Sequence, residues 1–169
     1  ENVTFAGMHA EAQLEMTRSL AVASGIAGMV GGQALDMAAE TADAPLTLAE
    51  ITTLQAGKTG ALITWAAVAG PRMIGADTAT LQIYGDALGL AFQIADDILD
   101  VEGDAATVGK AVGKDSDAGK ATFVSLLGLD AAKSRAKTLV QEACDALDIY
   151  GEDADVLRDA ARYVITRDK

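Results

Sequence analysis

Cysteine is nearly absent from this chain of 169 residues: Cys144 stands alone. No internal disulfide and no cysteine-based zinc site can form from one thiol, and the scarcity fits a reducing, cytoplasmic setting. His9 is the single histidine, which leaves no imidazole cluster for a transition metal. Basic charge is also short. Lys and Arg number 13 against 25 Asp and Glu, a net charge of −12, and a surface of that sign repels phosphate backbones, so nucleic acid is not an expected partner. The longest uncharged run, Ser19 to Leu35, has 17 residues. It falls short of the ~20 residues of a membrane span, carries Gln33 and four glycines, and reads as a buried soluble helix. Nothing ahead of Ser19 resembles a signal peptide, and a first residue of Glu1 points to a segment upstream.

What the chain does contain is apolar and alanine-rich. Half the residues are hydrophobic, enough to fold rather than stay disordered, and the length allows one domain or a large fragment of one. Only Pro45 and Pro71 interrupt it, and alternating β-branched patterns are weak, so helix is the expected element. A first helix is predicted from about Ala10 to Ala39, with Gly25, Gly28 and Gly32 on one face. Each glycine there costs about 1 kcal/mol relative to alanine, which close approach by a helix or a ligand would offset. Thr47 and Glu50 form a capping box for a second helix that runs to about Ala69, where Gly70-Pro71 stops it. A third spans Asp77 to Asp100 or slightly beyond. The Gly-, Asp- and Lys-rich stretch 103–119 reads as a flexible loop, long enough to be a lid or binding loop. A short helix at 122–127, one capped by Asp130 and running to Ile149 with a Leu139, Ala143, Leu147 stripe, and one over 153–167 complete the reading. Met8, Met16, Met29 and Met37 are expected as core filler.

Chemistry concentrates in Phe92-Gln93-Ile94-Ala95-Asp96-Asp97-Ile98-Leu99-Asp100. At about 100° per residue, with Asp96 at 0°, Asp100 lies near 40°, Gln93 near 60° and Asp97 near 100°. Gly89 falls on the same face and notches it. Three carboxylates in one arc destabilise a helix unless a cation sits among them. Magnesium suits them, as a hard ion shared between carboxylates and substrate phosphates; a solvated acidic face is the plainer alternative. Only seven lysines occur, and Lys110, Lys114 and Lys120 crowd just after this segment, each behind a glycine. Glycine lets backbone amides approach an anion and lysine adds a mobile point charge, so acids and lysines together suggest a magnesium-bridged polyphosphate site; a solubilising loop is the alternative. Lys58, in Lys58-Thr59-Gly60, sits among apolar Leu62, Ile63 and Trp65, and either takes an anionic partner or snorkels outward. Gln33 and Asp36 share a helix face and either orient a ligand or a lysine from behind, or make a helix-packing hydrogen bond.

At these residues the sequence resembles the trans-type polyprenyl diphosphate synthases, the bacterial farnesyl diphosphate synthases above all. The matching pieces are Gly31-Gly32-Gln33-x-x-Asp36, Lys58-Thr59-Gly60, Phe92-Gln93 through Asp100, Gly109-Lys110 and Gly119-Lys120, in the family's order over most of the chain. The resemblance implies an all-α fold, an isoprenoid-synthase-type helical bundle around a central cavity, working as a homodimer. Residues 1–169 would be the C-terminal part of its single domain. It implies condensation of isopentenyl diphosphate with an allylic diphosphate (dimethylallyl or geranyl) to farnesyl diphosphate, with Mg2+ as cofactor. By the same resemblance Asp96, Asp97 and Asp100 hold the metal, while Lys58, Thr59, Gln93, Lys110 and Lys120 contact the allylic diphosphate. Lys58, Asp96 and Lys110 are the expected catalytic groups, with Gln33 and Asp36 behind them. The family's first aspartate-rich motif, its paired arginines and its isopentenyl-binding basic residues do not occur ahead of Gln93, so the chain is expected to be inactive by itself. The alternative is a non-catalytic helical partner of a complete synthase; a pure scaffold would need neither the acids nor the lysines.

Overall fold

The computed structural model describes residues 9–108 and 121–167, the side chains of 104–108 excepted. Among the described residues every regular element is a helix. In chain order these are α1 (Ala10–Ser24), α2 (Met29–Ala39), α3 (Leu48–Gln55), a single π-turn (Ala56–Gly60), α4 (Ala61–Met73), α5 (Ala79–Val108), α6 (Phe123–Leu127), α7 (Leu129–Ala146), a 3-10 segment (Asp148–Ala154) and α8 (Asp155–Val164). The long α5 runs through the middle. It packs α7 along one side and α4 along the other, with α1 laid on α4 and α2 seated on the π-turn.

The core lies where α5, α7 and α8 meet. Ile94 and Ile98 of α5 face Ala132, Ala136, Leu139 and Ala143 of α7, with Phe123, Leu147, Ala161 and Val164 closing the ends. Alanine at so many α7 contact positions lets the helices approach closely, and the larger side chains fill what remains. The predicted Leu139, Ala143, Leu147 stripe is buried throughout.

Several predicted boundaries move, each for a local reason. The helix expected over 10–39 is broken between Ser24 and Met29: Gly25 is extended and Gly28 adopts φ −140°, ψ −120°. A Cβ on Gly28 would stand 2.6 Å from the carbonyl carbon of Ala23, so this glycine folds the chain back on itself instead of receiving another helix. Gly32 has the backbone of Gly57 and Lys58 pressed against its Cα, and a Cβ on Gly57 would lie 3.2 Å from the Gly28 carbonyl oxygen. The whole stretch 10–39 has the length and hydropathy of a membrane span, but that break interrupts it and Asp36 is buried within it. The second helix passes through Gly70-Pro71 to Met73 and ends at Gly75, with φ +67°. Pro71 forfeits one backward bond, to the carbonyl four residues earlier, and only Arg72 and Met73 follow it in the helix.

The helix carrying the acids extends to Val108, so the first part of the loop expected over 103–119 is helical; 109–119 lie outside the described residues. Gly128, not Asp130, precedes α7, at φ +82°, and Asp130 sits in the first turn. Two predicted helix ends, at Ile149 and Asp153, merge into the 3-10 segment around Gly151. Met16 is core, whereas Met37 is 61 % exposed and fills none.

Candidate functional site

The capping box of Thr47 and Glu50 is formed and starts α3, which continues through the π-turn into α4. An extra residue in one helical turn shifts the direction of the side chains it carries, and such turns recur at functional sites. Here the turn carries Lys58 and Thr59. Lys58 Nζ donates to Asp36 Oδ2 at 2.7 Å, with the Asp36 side chain 5 % exposed and that of Lys58 33 %. Lys58 therefore has an anionic partner within the chain, the buried Asp36. Gln33 stands one turn earlier on α2 and is half-buried.

Thr59 turns the other way, donating through Oγ1 to Gln93 Oε1 of α5 at 3.1 Å. Gln93 stands one helical turn before Asp97 on α5 and helps hold the Asp97 carboxyl down. Asp97 also accepts the backbone N–H of Phe123 at 2.7 Å, which fixes the start of α6 against the acidic helix. Two hydrogen bonds, Lys58 to Asp36 and Thr59 to Gln93, thus tie the π-turn to α2 and α5, and the chain of polar residues runs on along α5 to Asp97.

Asp96 is engaged by Arg167, whose guanidinium pairs with its carboxylate and lies 4.2 Å above the Phe92 ring. Asp100 is exposed at the outer end of the arc. Burial raises the Asp96 carboxyl above the ordinary range; Arg167 opposes that rise and Asp100 adds to it. Asp97 is raised as well, mainly by burial and then by Asp100 and Asp96, against the Phe123 amide and Gln93. Crowded, part-buried carboxylates of this kind favour a compensating cation.

Among the described residues no cluster of three or more metal-ligating side chains closes on a point. The ridge offers oxygen donors only, along one face, which fits a hard ion completing its shell with water and phosphate oxygens. The donor set therefore fits magnesium held jointly with a ligand. Lys110, Lys114 and Lys120 lie outside the described residues.

Arg167 was not singled out by sequence reasoning. It is 71 residues from Asp96, and no local pattern distinguishes it from the other five arginines. Its placement over the Phe92 ring depends on how α8 returns across α5.

Residues 4–162 match the family model described as polyprenyl synthetase. The farnesyl diphosphate synthase of Escherichia coli (strain K12) is 43% identical over 164 residues, covering 93% of this chain and 54% of that protein. That of Micrococcus luteus is 41% identical over 165 residues, covering 96% and 56%. Among solved structures, an FPP/GFPP synthase from Zymomonas mobilis aligns with a TM-score of 0.82 at 46% identity, over 92% of this chain and 52% of that one. A geranyltransferase from Helicobacter pylori, crystallised with magnesium and isoprenyl diphosphate, aligns at 0.73 and 33% identity, over 96% and 54%. The chain spans about half the length of these relatives.

Proposed function

This chain belongs to the polyprenyl synthetase family, and we propose that it forms the C-terminal, diphosphate-holding wall of a prenyl diphosphate synthase. The reaction is head-to-tail condensation of isopentenyl diphosphate with dimethylallyl or geranyl diphosphate, giving farnesyl diphosphate. The observation that carries this reading is the polar chain from Asp36 through Lys58, Thr59 and Gln93 to Asp97. It puts a cation, a hydroxyl and an amide beside an acidic ridge, which is what a metal-bridged diphosphate requires.

In this mechanism the C–O bond of the allylic diphosphate breaks, leaving an allylic cation and a departing diphosphate. The isopentenyl double bond then attacks the cation, a C–C bond forms and a proton is lost. Lys58 donates to the departing oxygens from a position held by Asp36, so little rearrangement is needed as charge builds. Thr59 and Gln93 hydrogen-bond the same group, and Lys110 and Lys120 add cationic contacts. Asp96, Asp97 and Asp100 would hold Mg2+, whose contribution when bound is Lewis-acid stabilisation of the leaving diphosphate. The magnesium and isoprenyl diphosphate in the Helicobacter pylori structure support that choice. Gln33 and Asp36 act from behind the lysine.

The opposite wall, with the first aspartate-rich motif, is not in these residues, so the chain by itself is catalytically inactive and acts when that wall is supplied. Exposed Leu14, Leu20, Leu35 and Met37 on α1 and α2, with Ile26 in the break between them, support coverage by further polypeptide, including the second subunit of a homodimer. A reducing, cytoplasmic setting goes with this reading.

The test is calorimetric titration of inorganic diphosphate into the purified chain, with and without Mg2+. Binding that requires Mg2+ and drops by about tenfold or more in Asp96→Ala and Lys58→Met supports the proposal. Equal binding by the wild type and both variants overturns it.

A further inference from the structure

The π-turn is held from both sides by the same two-point arrangement, a glycine followed four residues later by a polar acceptor. On α2, Gly32 lies directly under the turn: a Cβ added there would be 2.6 Å from Lys58 Cα, 2.7 Å from the Gly57 carbonyl carbon and closer still to the Lys58 amide nitrogen. Four residues on, one turn along the same face, Asp36 takes the Lys58 ammonium at 2.7 Å. On α5, a Cβ at Gly89 would be 2.9 Å from Gly60 Cα, and four residues on Gln93 takes the Thr59 hydroxyl at 3.1 Å. Each flanking helix thus touches the turn once through bare backbone and once through the tip of one functional side chain.

We infer that Gly32 and Gly89 are positioning residues for the Lys58 and Thr59 pair. Two contacts from one helix fix both the separation of helix and turn and the reach of the side chain. A lysine whose backbone is pressed against Gly32 reaches Asp36 with its ammonium while its side chain stays one-third exposed, open enough to meet an anion. Push the turn outward and the ammonium loses either the carboxylate or the anion. Glycine in a helix interior is unfavourable by about 1 kcal/mol, so its presence opposite the π-turn on both helices needs a compensating contact; the near-zero clearance supplies one.

The two clamps are unequal. Alanine at Gly32 must displace the Lys58 backbone itself, whereas alanine at Gly89 meets a glycine Cα only just inside 3.0 Å. Gly57, with 3.2 Å to the Gly28 carbonyl oxygen and 3.3 Å to Gly32 Cα, yields with a small shift. Gly70 in α4 has nothing within 4 Å and is the neutral control.

The inference builds on the diphosphate reading above, so its test has one readout that does not use diphosphate. Acetic anhydride labelling of the folded chain, read by peptide mass mapping, reports how freely the Lys58 ammonium is presented. Gly32→Ala and Asp36→Asn should each raise Lys58 labelling several-fold over wild type, with Gly89→Ala and Gly70→Ala within twofold. In the Asp36→Asn background, Gly32→Ala should add little, because both act on one tether. The second readout is affinity for inorganic diphosphate with Mg2+, where Gly32→Ala loses roughly tenfold or more, Gly89→Ala loses less and Gly70→Ala is unchanged. Should Gly32→Ala fail to fold by circular dichroism, Gly57→Ala replaces it and should raise Lys58 labelling by a smaller factor. Wild-type labelling of Lys58 in Gly32→Ala, or in its replacement, overturns the inference, as does an additive effect with Asp36→Asn. If no variant alters diphosphate affinity while labelling changes as expected, the clamp stands and the diphosphate reading falls.

Discussion

The helices on the two sides of α5 use apolar residues in opposite ways. On α7, Ala132, Ala136, Leu139, Val140 and Ala143 are all buried and the exposed positions, Ala131 apart, are charged or polar. On α1, α2 and the break between them the only large apolar side chain fully buried is Met16, while Leu14, Ile26, Leu35 and Met37 are 52 to 79 % exposed. Both segments are helical and both are rich in alanine. The difference is that α7 has α5, α6 and α8 to pack against, whereas α2 meets only the π-turn and α3 in any extent. The α7 side buries most of its apolar residues within the chain, and the other side leaves an apolar face exposed. The polar chain that joins Lys58 to Asp97 lies at the boundary between the two.

The most direct way to break that comparison is to truncate one residue from each side. Leu147→Ala, at a position with no exposure, should lower stability by about 2–5 kcal/mol in urea denaturation. Ile26→Ser, at 79 % exposure, should stay within about 0.5 kcal/mol. Similar losses would mean that the N-terminal face is packed in this chain. At the boundary, Lys58→Met leaves the Asp36 carboxylate buried without its ammonium, and a loss of about 1–2 kcal/mol is expected after discounting for the partly exposed lysine. Adding Asp36→Asn should recover part of it in a double-mutant cycle; a fully additive result would show that the pair does not interact.

On the core side, Arg167→Met removes the guanidinium from both Asp96 and Phe92. Thermal stability should fall by about 0.5–1 kcal/mol. Mg2+ titrated in the absence of diphosphate should bind more tightly, since Arg167 and the metal compete for Asp96. Weaker Mg2+ binding would make Arg167 an assistant of the metal rather than its rival. The smallest effect belongs to α3, at the edge of the exposed face. Hydrogen bonds from the Thr47 backbone and hydroxyl hold the Glu50 carboxyl below its ordinary 4.5. A depressed folded value makes the capping box stabilising above pH 4.5, with that stability lost as pH falls through the lower folded value. Melting curves of wild type and Glu50→Gln should therefore differ at pH 7 and converge toward pH 3. A gap that widens on acidification would contradict the sign.

Local chemistry was readable without coordinates. The Asp96, Asp97, Asp100 arc, the Thr47–Glu50 box and the Leu139, Ala143, Leu147 stripe all depend on neighbours within two helical turns. Gly25 and Gly28 misled because three- and four-residue spacing looks the same whether a glycine receives another helix or breaks its own. Pro71 misled because a proline costs a helix one backward hydrogen bond without stopping the next residues from taking helical angles. The π-turn gave no signal, because its Ala56–Gly60 residues are compatible with ordinary helix; only contact with Gly32 and Gly89 marks it.

Which residue types share a helix face followed from sequence alone, because the rotation per residue is set by hydrogen bonds within four positions along the chain. Which faces meet did not. Asp36 with Lys58, Thr59 with Gln93 and Asp96 with Arg167 are separated by 22, 34 and 71 residues, and each pairing exists only because close packing of backbones fixes where one helix crosses another. That is a property of interhelical clearance, and clearance is decided by the assembled bundle.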